Sequence, residues 1–122
     1  MRTWAVAVLL GAATPAVAAD QFDLVCATRK GAVHYRVDLA RSAYCAGDCS
    51  VMLTIASSTP GMIVLEDHQP TFRGDKEEHS RINRTTGEWH TFSFNPRFDT
   101  TPFVRDGKCE PAPFSGFPTA KF

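Results

Sequence analysis

From Phe22 onward, apolar and polar residues alternate over short stretches, which is the period of half-buried strands rather than of helices. The clearest run is Val33-His34-Tyr35-Arg36-Val37-Asp38-Leu39. Val33, Tyr35, Val37 and Leu39 share one face and His34, Arg36 and Asp38 the other, so one face is expected to be core and the other to face water. Phe22, Leu24 and Cys26 give the preceding segment a similar inward face. Arg29-Lys30-Gly31 between the two reads as a hairpin connection, making the pair antiparallel. A third strand is expected over residues 51–55, with Val51, Leu53 and Ile55 on one side. A fourth covers residues 62–65, a continuous apolar run suited to burial on both faces. Ser57-Ser58-Thr59-Pro60-Gly61 links them.

Residues 67–78 are polar, contain Pro70 and Gly74, and predict a mobile loop between sheet halves. Beyond it, residues 80–83 and 88–94 flank Arg84-Thr85-Thr86-Gly87, which suits a type I turn with Gly87 in the left-handed position of a bulge. A last strand is expected over residues 101–105, with Asp106-Gly107 turning the chain. The tail from Glu110 to Pro118 carries too many prolines for a central strand and predicts an extended arm packed by Phe114 and Phe117. The fold class is therefore all-β: an antiparallel meander of about seven short strands, closing into a barrel or sandwich, with a Pro-rich C-terminal arm.

The N-terminus departs from this pattern. One positive charge at Arg2 precedes an apolar run from Trp4 to Leu10 and the small residues Ala16-Val17-Ala18-Ala19. That is the organisation of a cleavable secretion signal, expected over residues 1–19. The apolar run is shorter than the roughly 20 residues needed to cross a bilayer. Residues 20–122 are then a single β domain with no membrane insertion after cleavage. The chain has thirteen Lys and Arg against thirteen Asp and Glu; without Arg2 the balance is minus one, with no basic stripe for nucleic acid.

Cys26, Cys45, Cys49 and Cys109 all lie beyond the cleavage region, and an even count in a small exported chain reads first as two disulfides. The short spacing of Cys45 and Cys49 favours a local bridge, which leaves Cys26 to pair with Cys109. The chain-entropy argument makes the longer bridge the more important for folding. As thiolates, Cys45 and Cys49 could instead hold a soft metal such as copper. His34, His68, His79 and His90 stand near carboxylates, yet their spacing requires no metal. Ser57, Ser58, Ser80, Ser93 and Ser115 sit in no nucleophile turn. Glu66-Asp67 and Glu77-Glu78 read as solvated charge in loops. No catalytic, cofactor-binding or metal-ligating residue is assigned. Trp89, Phe92, Phe94, Phe98 and Phe103 are expected in the core, with a ligand cavity as the other reading. Asn83-Arg84-Thr85 fits a glycosylation pattern, but Asn83 is expected to serve the hairpin.

Phe22-Asp23-Leu24-Val25-Cys26, Tyr35-Arg36-Val37-Asp38-Leu39, Ile82-Asn83-Arg84-Thr85-Thr86-Gly87 and Phe114-Ser115-Gly116-Phe117-Pro118 span most of the mature chain. In these segments the chain resembles uncharacterised small exported proteins of alphaproteobacteria. The resemblance implies a periplasmic setting and transfers no functional residue. In architecture, with Phe22 to Cys26 as a first cysteine strand, the chain is also similar to the periplasmic inhibitors of C-type lysozyme. It lacks their Ser-Gly-x-x-Tyr loop.

The functional expectation is a non-enzymatic binding or structural protein, periplasmic or secreted, without cofactor, whose partner is a protein or a small apolar ligand. Such a module predicts an open apolar groove near residues 67–78. The alternatives are an inhibitor of the lysozyme-inhibitor type, presenting a protruding loop, and a copper carrier using Cys45 and Cys49.

Overall fold

The computed structural model describes residues 19–70 and 74–119. Nearly all of the expected secretion signal, and residues 71–73 of the expected loop, lie outside the described residues. Nine strands are present: β1 (Gln21–Thr28), β2 (Gly31–Asp38), β3 (Ala43–Ala46), β4 (Leu53–Thr54), β5 (Ser57–Ser58), β6 (Met62–His68), β7 (Glu77–Asn83), β8 (Glu88–Phe94) and β9 (Phe103–Ala112). They form one antiparallel sheet in the order β4-β3-β2-β1-β9-β8-β7-β6-β5, curled into a half-barrel, with no helix among the described residues.

The topology is a meander whose last strand returns to its first: β9 pairs with β1 between Asp23↔Ala112 and Ala27↔Lys108. The sheet's outer edges, β4 and β5, are separated in sequence by Ile55 and Ala56 alone. Ile55 donates its amide to Ser42 O at 2.8 Å and Ala56 to Leu65 O at 3.3 Å. This bent two-residue link therefore bonds just ahead of β3 on one side and to β6 on the other, which holds the two edges near each other, with Ile55 buried in the core.

Alternation sorts side chains as the sequence implies along β1 and β2. Leu24, Cys26, Tyr35 and Val37 are buried, and Phe22, Val33 and Leu39 pack against them. Across the interior they meet Tyr44, Ile63, Leu65, Ile82 and Trp89. Tyr35 stands edge-on to both Tyr44 and Trp89, with ring centroids 6.2 Å apart in each pair. Such edge contacts add modestly to the burial that drives this core together. The turn after β7 is built as its residues dictate. The Asn83 side chain accepts the amides of Thr85 (2.9 Å) and Thr86 (3.1 Å), and Gly87 takes a φ of 77°.

Four expectations are corrected. Nine strands replace about seven, because two were not expected: in β3 Tyr44 and Cys45 are adjacent and both buried, which breaks the alternation, and β5, Ser57–Ser58, lies in the stretch read as a link. The expected third strand, residues 51–55, is reduced to Leu53–Thr54, leaving Val51 and Met52 exposed. The loop over residues 67–78 contracts to 69–76, because β6 runs on through His68 and β7 starts at Glu77. The chain does not turn at Asp106-Gly107; β9 passes straight through them and on to Ala112. Pro111 is tolerated there because ladder bonds alternate in direction. Two residues earlier the Cys109 amide points away from β1, to Gly87 O at 2.8 Å. Pro111 nitrogen faces the same way, past the end of the β8–β9 pairing at Glu88↔Lys108, where no ladder partner is needed.

Candidate functional site

Chemistry-bearing side chains collect at one end of the interior, in the middle of the interior, on the outer face of β1 and β2, and in a polar depression of about 730 Å³ that brings together Arg81, Glu88, His90, Asp106 and Lys108.

At the first, inward positions of β1, β6 and β7 bring Phe22, Leu24, Ile63 and Ile82 to the end of the half-barrel framed by the 84–87 turn and Pro113. They line an open cavity of about 560 Å³, with Cys109 and Pro111 in its wall. That volume lies within the range of small-ligand sites, and an apolar wall with a few polar groups around it is their usual chemistry. Gln21, Thr85, Thr86 and Glu110 are exposed around the opening.

Deeper inside, the core becomes polar. The β6–β7 register slips between Val64 and Glu66, so Leu65 is an extra residue. A bulge re-aims the side chain that follows it. Glu66, which strict alternation would turn outward with Val64, instead accepts a hydrogen bond from Tyr44 Oη at 3.4 Å. Burial, reinforced by the nearby Glu78, pushes the Glu66 carboxyl above its ordinary value. Burial likewise raises the hydroxyls of Tyr35 and Tyr44. Glu78 is paired with Lys76. Ser80 Oγ and Trp89 Nε1, both beside Tyr35, are buried with no hydrogen-bond partner among the described residues.

A carboxyl whose folded value lies above its unfolded value loses stability as pH rises through that interval, because the fold disfavours the charged form. Glu66→Gln keeps an acceptor for Tyr44 and removes the charge. Its urea midpoint at pH 7 is expected to exceed that of the parent, and the gain should vanish below the ordinary value of 4.5, where Glu66 is itself neutral. A variant less stable at pH 7 would contradict this reading of the interior.

On the outer face, Asp23 is only 2% exposed although it lies opposite the core-facing residues of β1. The tail covers it. Ser115 donates its amide to Asp23 Oδ1 at 3.1 Å, His34 Nε2 lies 2.7 Å from Asp23 Oδ2, and Arg36 Nη1 donates to Gly116 O at 2.8 Å. Burial pushes the Asp23 carboxyl up, but the bonds from Ser115 and His34 outweigh it and hold the group below its ordinary value. Aspartate, histidine and serine are thus together, but Ser115 is bonded to the carboxylate rather than to the imidazole. A nucleophilic triad needs the base on the hydroxyl, so this arrangement binds the tail and does not activate Ser115.

The remaining sequence candidates are dispersed. Cys26 is bonded to Cys109 and Cys45 to Cys49, leaving no free thiol. His79 sits between Glu77 Oε1 (2.8 Å) and Asp67 Oδ1 (3.1 Å), and Glu77 first, then Asp67, raises its pKa. His90 Nδ1 meets Asp106 Oδ1. Among the described residues no three His, Cys, Asp or Glu side chains group to hold a metal ion. Glu66 and Asp67 belong to β6 and Glu77 and Glu78 to β7, so neither pair is loop charge. Of the aromatic set only Trp89 is core: Phe98 is 83% and Phe103 52% exposed, while Phe92 and Phe94 are half-buried. The depression near the 69–76 connection is lined by His68, Asp75, Lys76, Asn95, Arg97 and Phe98. It is polar and so is not the apolar groove expected near residues 67–78; the opening at the 84–87 turn has the more apolar wall. The inward apolar positions of β1 and β7 were the signal for it, but only the curl brings them to one opening.

No known family, curated protein or solved structure matches this chain.

Proposed function

We propose that this is an exported, periplasmic, non-enzymatic binding protein that takes a small apolar ligand end-on into the mouth of a β-barrel. In this reading the curled sheet acts as a closed barrel, sealed by the segment through Ile55 and Ala56. The cavity of about 560 Å³ lined by Phe22, Leu24, Ile63 and Ile82 carries the proposal. Apolar walls that remain reachable from solvent favour an apolar guest by roughly 25 cal/mol for each Å² withdrawn from water. Two disulfides, and the absence of a membrane-crossing helix among the described residues, agree with export. So does the resemblance to exported alphaproteobacterial proteins.

The test is a fluorescence titration with N-phenyl-1-naphthylamine. Saturable binding is expected for the parent protein. Phe22 is half-buried at the mouth, so Phe22→Glu should remain folded while weakening the probe by about tenfold or more, because the carboxylate is desolvated by the guest. Phe22→Leu should bind nearly as the parent does. Equal affinity of the Glu variant would remove the mouth from consideration.

A second reading is supported by the segment after the Cys45–Cys49 loop, where Val51, Met52 and Leu53 are consecutively exposed, Val51 at 61%. An exposed apolar run suits a protein partner, in keeping with the architectural likeness to lysozyme inhibitors. A parent protein that ignores the probe but protects cells from C-type lysozyme in a turbidity assay, with Met52→Asp inactive, would move the function there.

A further inference from the structure

The sheet pairing of β9 ends at Asp23↔Ala112, yet the chain continues without strand pairing across the outer face of β1 and β2. Residues 113–119 make no ladder there. What holds them is a pair of side chains directly opposite each other in the β1–β2 register, Asp23↔Arg36. Asp23 accepts the Ser115 amide and Arg36 donates to the Gly116 carbonyl. Both bonds go to main-chain atoms of successive residues, so they fix the direction and position of the backbone through the Ser115-Gly116 step. Charge-assisted bonds of this kind are the stronger class. The segment's own sequence completes the fit. Phe114 and Phe117, which flank the Ser115-Gly116 step in sequence, meet edge-on at 5.1 Å. Gly116 has a φ of 87°, a conformation that side-chain-bearing residues rarely adopt. Pro113 and Pro118 restrict the free segment and so reduce the entropy lost on docking.

We propose that this outer face is a peptide-docking seat, filled in cis by residues 113–119 and suited to a proline-flanked segment with an aromatic-Ser-Gly-aromatic core, bent at its glycine, supplied by a partner chain. Asp23 and Arg36 read the partner's backbone, His34 supports the carboxylate, and the glycine and the two aromatic rings supply selectivity. The tethered tail competes at an effective concentration of about millimolar, so a partner gains access where the tail's own bonds are weakened. Asp23 and Arg36 lie on the opposite face of β1 and β2 from the apolar mouth, and the segment meets that mouth only through Pro113 at its start.

The experiment uses the full chain and a synthetic peptide of residues 113–119, titrated by NMR with the Arg36 and His34 side-chain signals as reporters. Ser115→Pro in the protein removes the amide that Asp23 accepts and leaves the sheet untouched. This variant is expected to bind the peptide at least tenfold more tightly than the parent. Adding Arg36→Met, which keeps the aliphatic stem, should reverse the gain, and a peptide carrying alanine for its glycine should bind neither protein. Heteronuclear spectra of the sheet amides establish that each variant is folded; should Ser115→Pro fail, Phe117→Ala loosens the same tail and carries the same expectation. Peptide affinity unchanged by loosening the tail, or unchanged by Arg36→Met, would overturn the proposal and leave the tail as a fixed cover.

Discussion

Replacing Cys26 and Cys109 together by alanine is expected to remove about 4 to 5 kcal/mol of stability, and replacing Cys45 and Cys49 only about 2. The difference follows from what each bridge encloses. Cys26 and Cys109 are 83 residues apart and directly opposed across the β1–β9 pairing, so their loop contains nearly the whole sheet. Cys45 and Cys49 enclose a loop of four residues' separation within a single turn region. The first bridge restrains the unfolded chain far more, and it also ties the two strands whose pairing brings the meander round on itself. Small domains hold about 5 to 15 kcal/mol in total, so the first loss approaches the whole margin. Urea midpoints of the two double variants check this, provided the slopes agree. A larger loss for the Cys45 and Cys49 pair would mean that the β1–β9 pairing is stable without its cross-link and that the local loop organises the fold.

The inward face of β1 and β2 was legible because Leu24, Tyr35 and Val37 obey strict alternation, and alternation is local. The outer face was not. Asp23, Arg36 and Asp38 belong to the polar half of the same pattern, yet Asp23 and Asp38 are fully buried. Asp38 is sheltered by its own surroundings, accepting from Gln21 Nε2 and the Arg41 amide. Asp23 is covered by a segment some ninety residues away in sequence, and no local pattern reports what a distant tail will lie upon. The candidate mouth falls between these cases. Alternation places Phe22 and Leu24 inward but assigns no face to Ile82, and that the three surround an opening depends on the curl, which is set by β9 returning to β1 and by the hydrogen bonds of Ile55 and Ala56. Glu66 escaped because one inserted residue reverses the face of everything after it.

Gly107 shows the same limit from the side of the backbone. Followed by Lys and preceded by Asp, it has the composition of a turn, but it lies within β9 opposite Trp89. Its lack of a side chain serves close approach instead of chain reversal. A Cβ built on Gly107 would collide with the carbonyl oxygen of Ala27 and lie 3.0 Å from its carbon, where β1 crosses at the end of its pairing with β9. Neither atom can turn aside as a flexible side chain could. Gly107→Ala therefore forces β1 and β9 apart beside the Cys26–Cys109 bridge, and is expected to cost about 3 kcal/mol, the upper part of the range for overpacking. Gly61→Ala is the matched control, since no atom lies within 4 Å of its added methyl group and its φ is not in the left-handed region. It should be neutral or slightly stabilising through the unfolded chain. Thermal melts of the two variants separate the explanations. A large loss for Gly107→Ala alone supports close packing of β1 on β9, whereas equal small effects would mean that Ala27 and Gly107 stand further apart in solution.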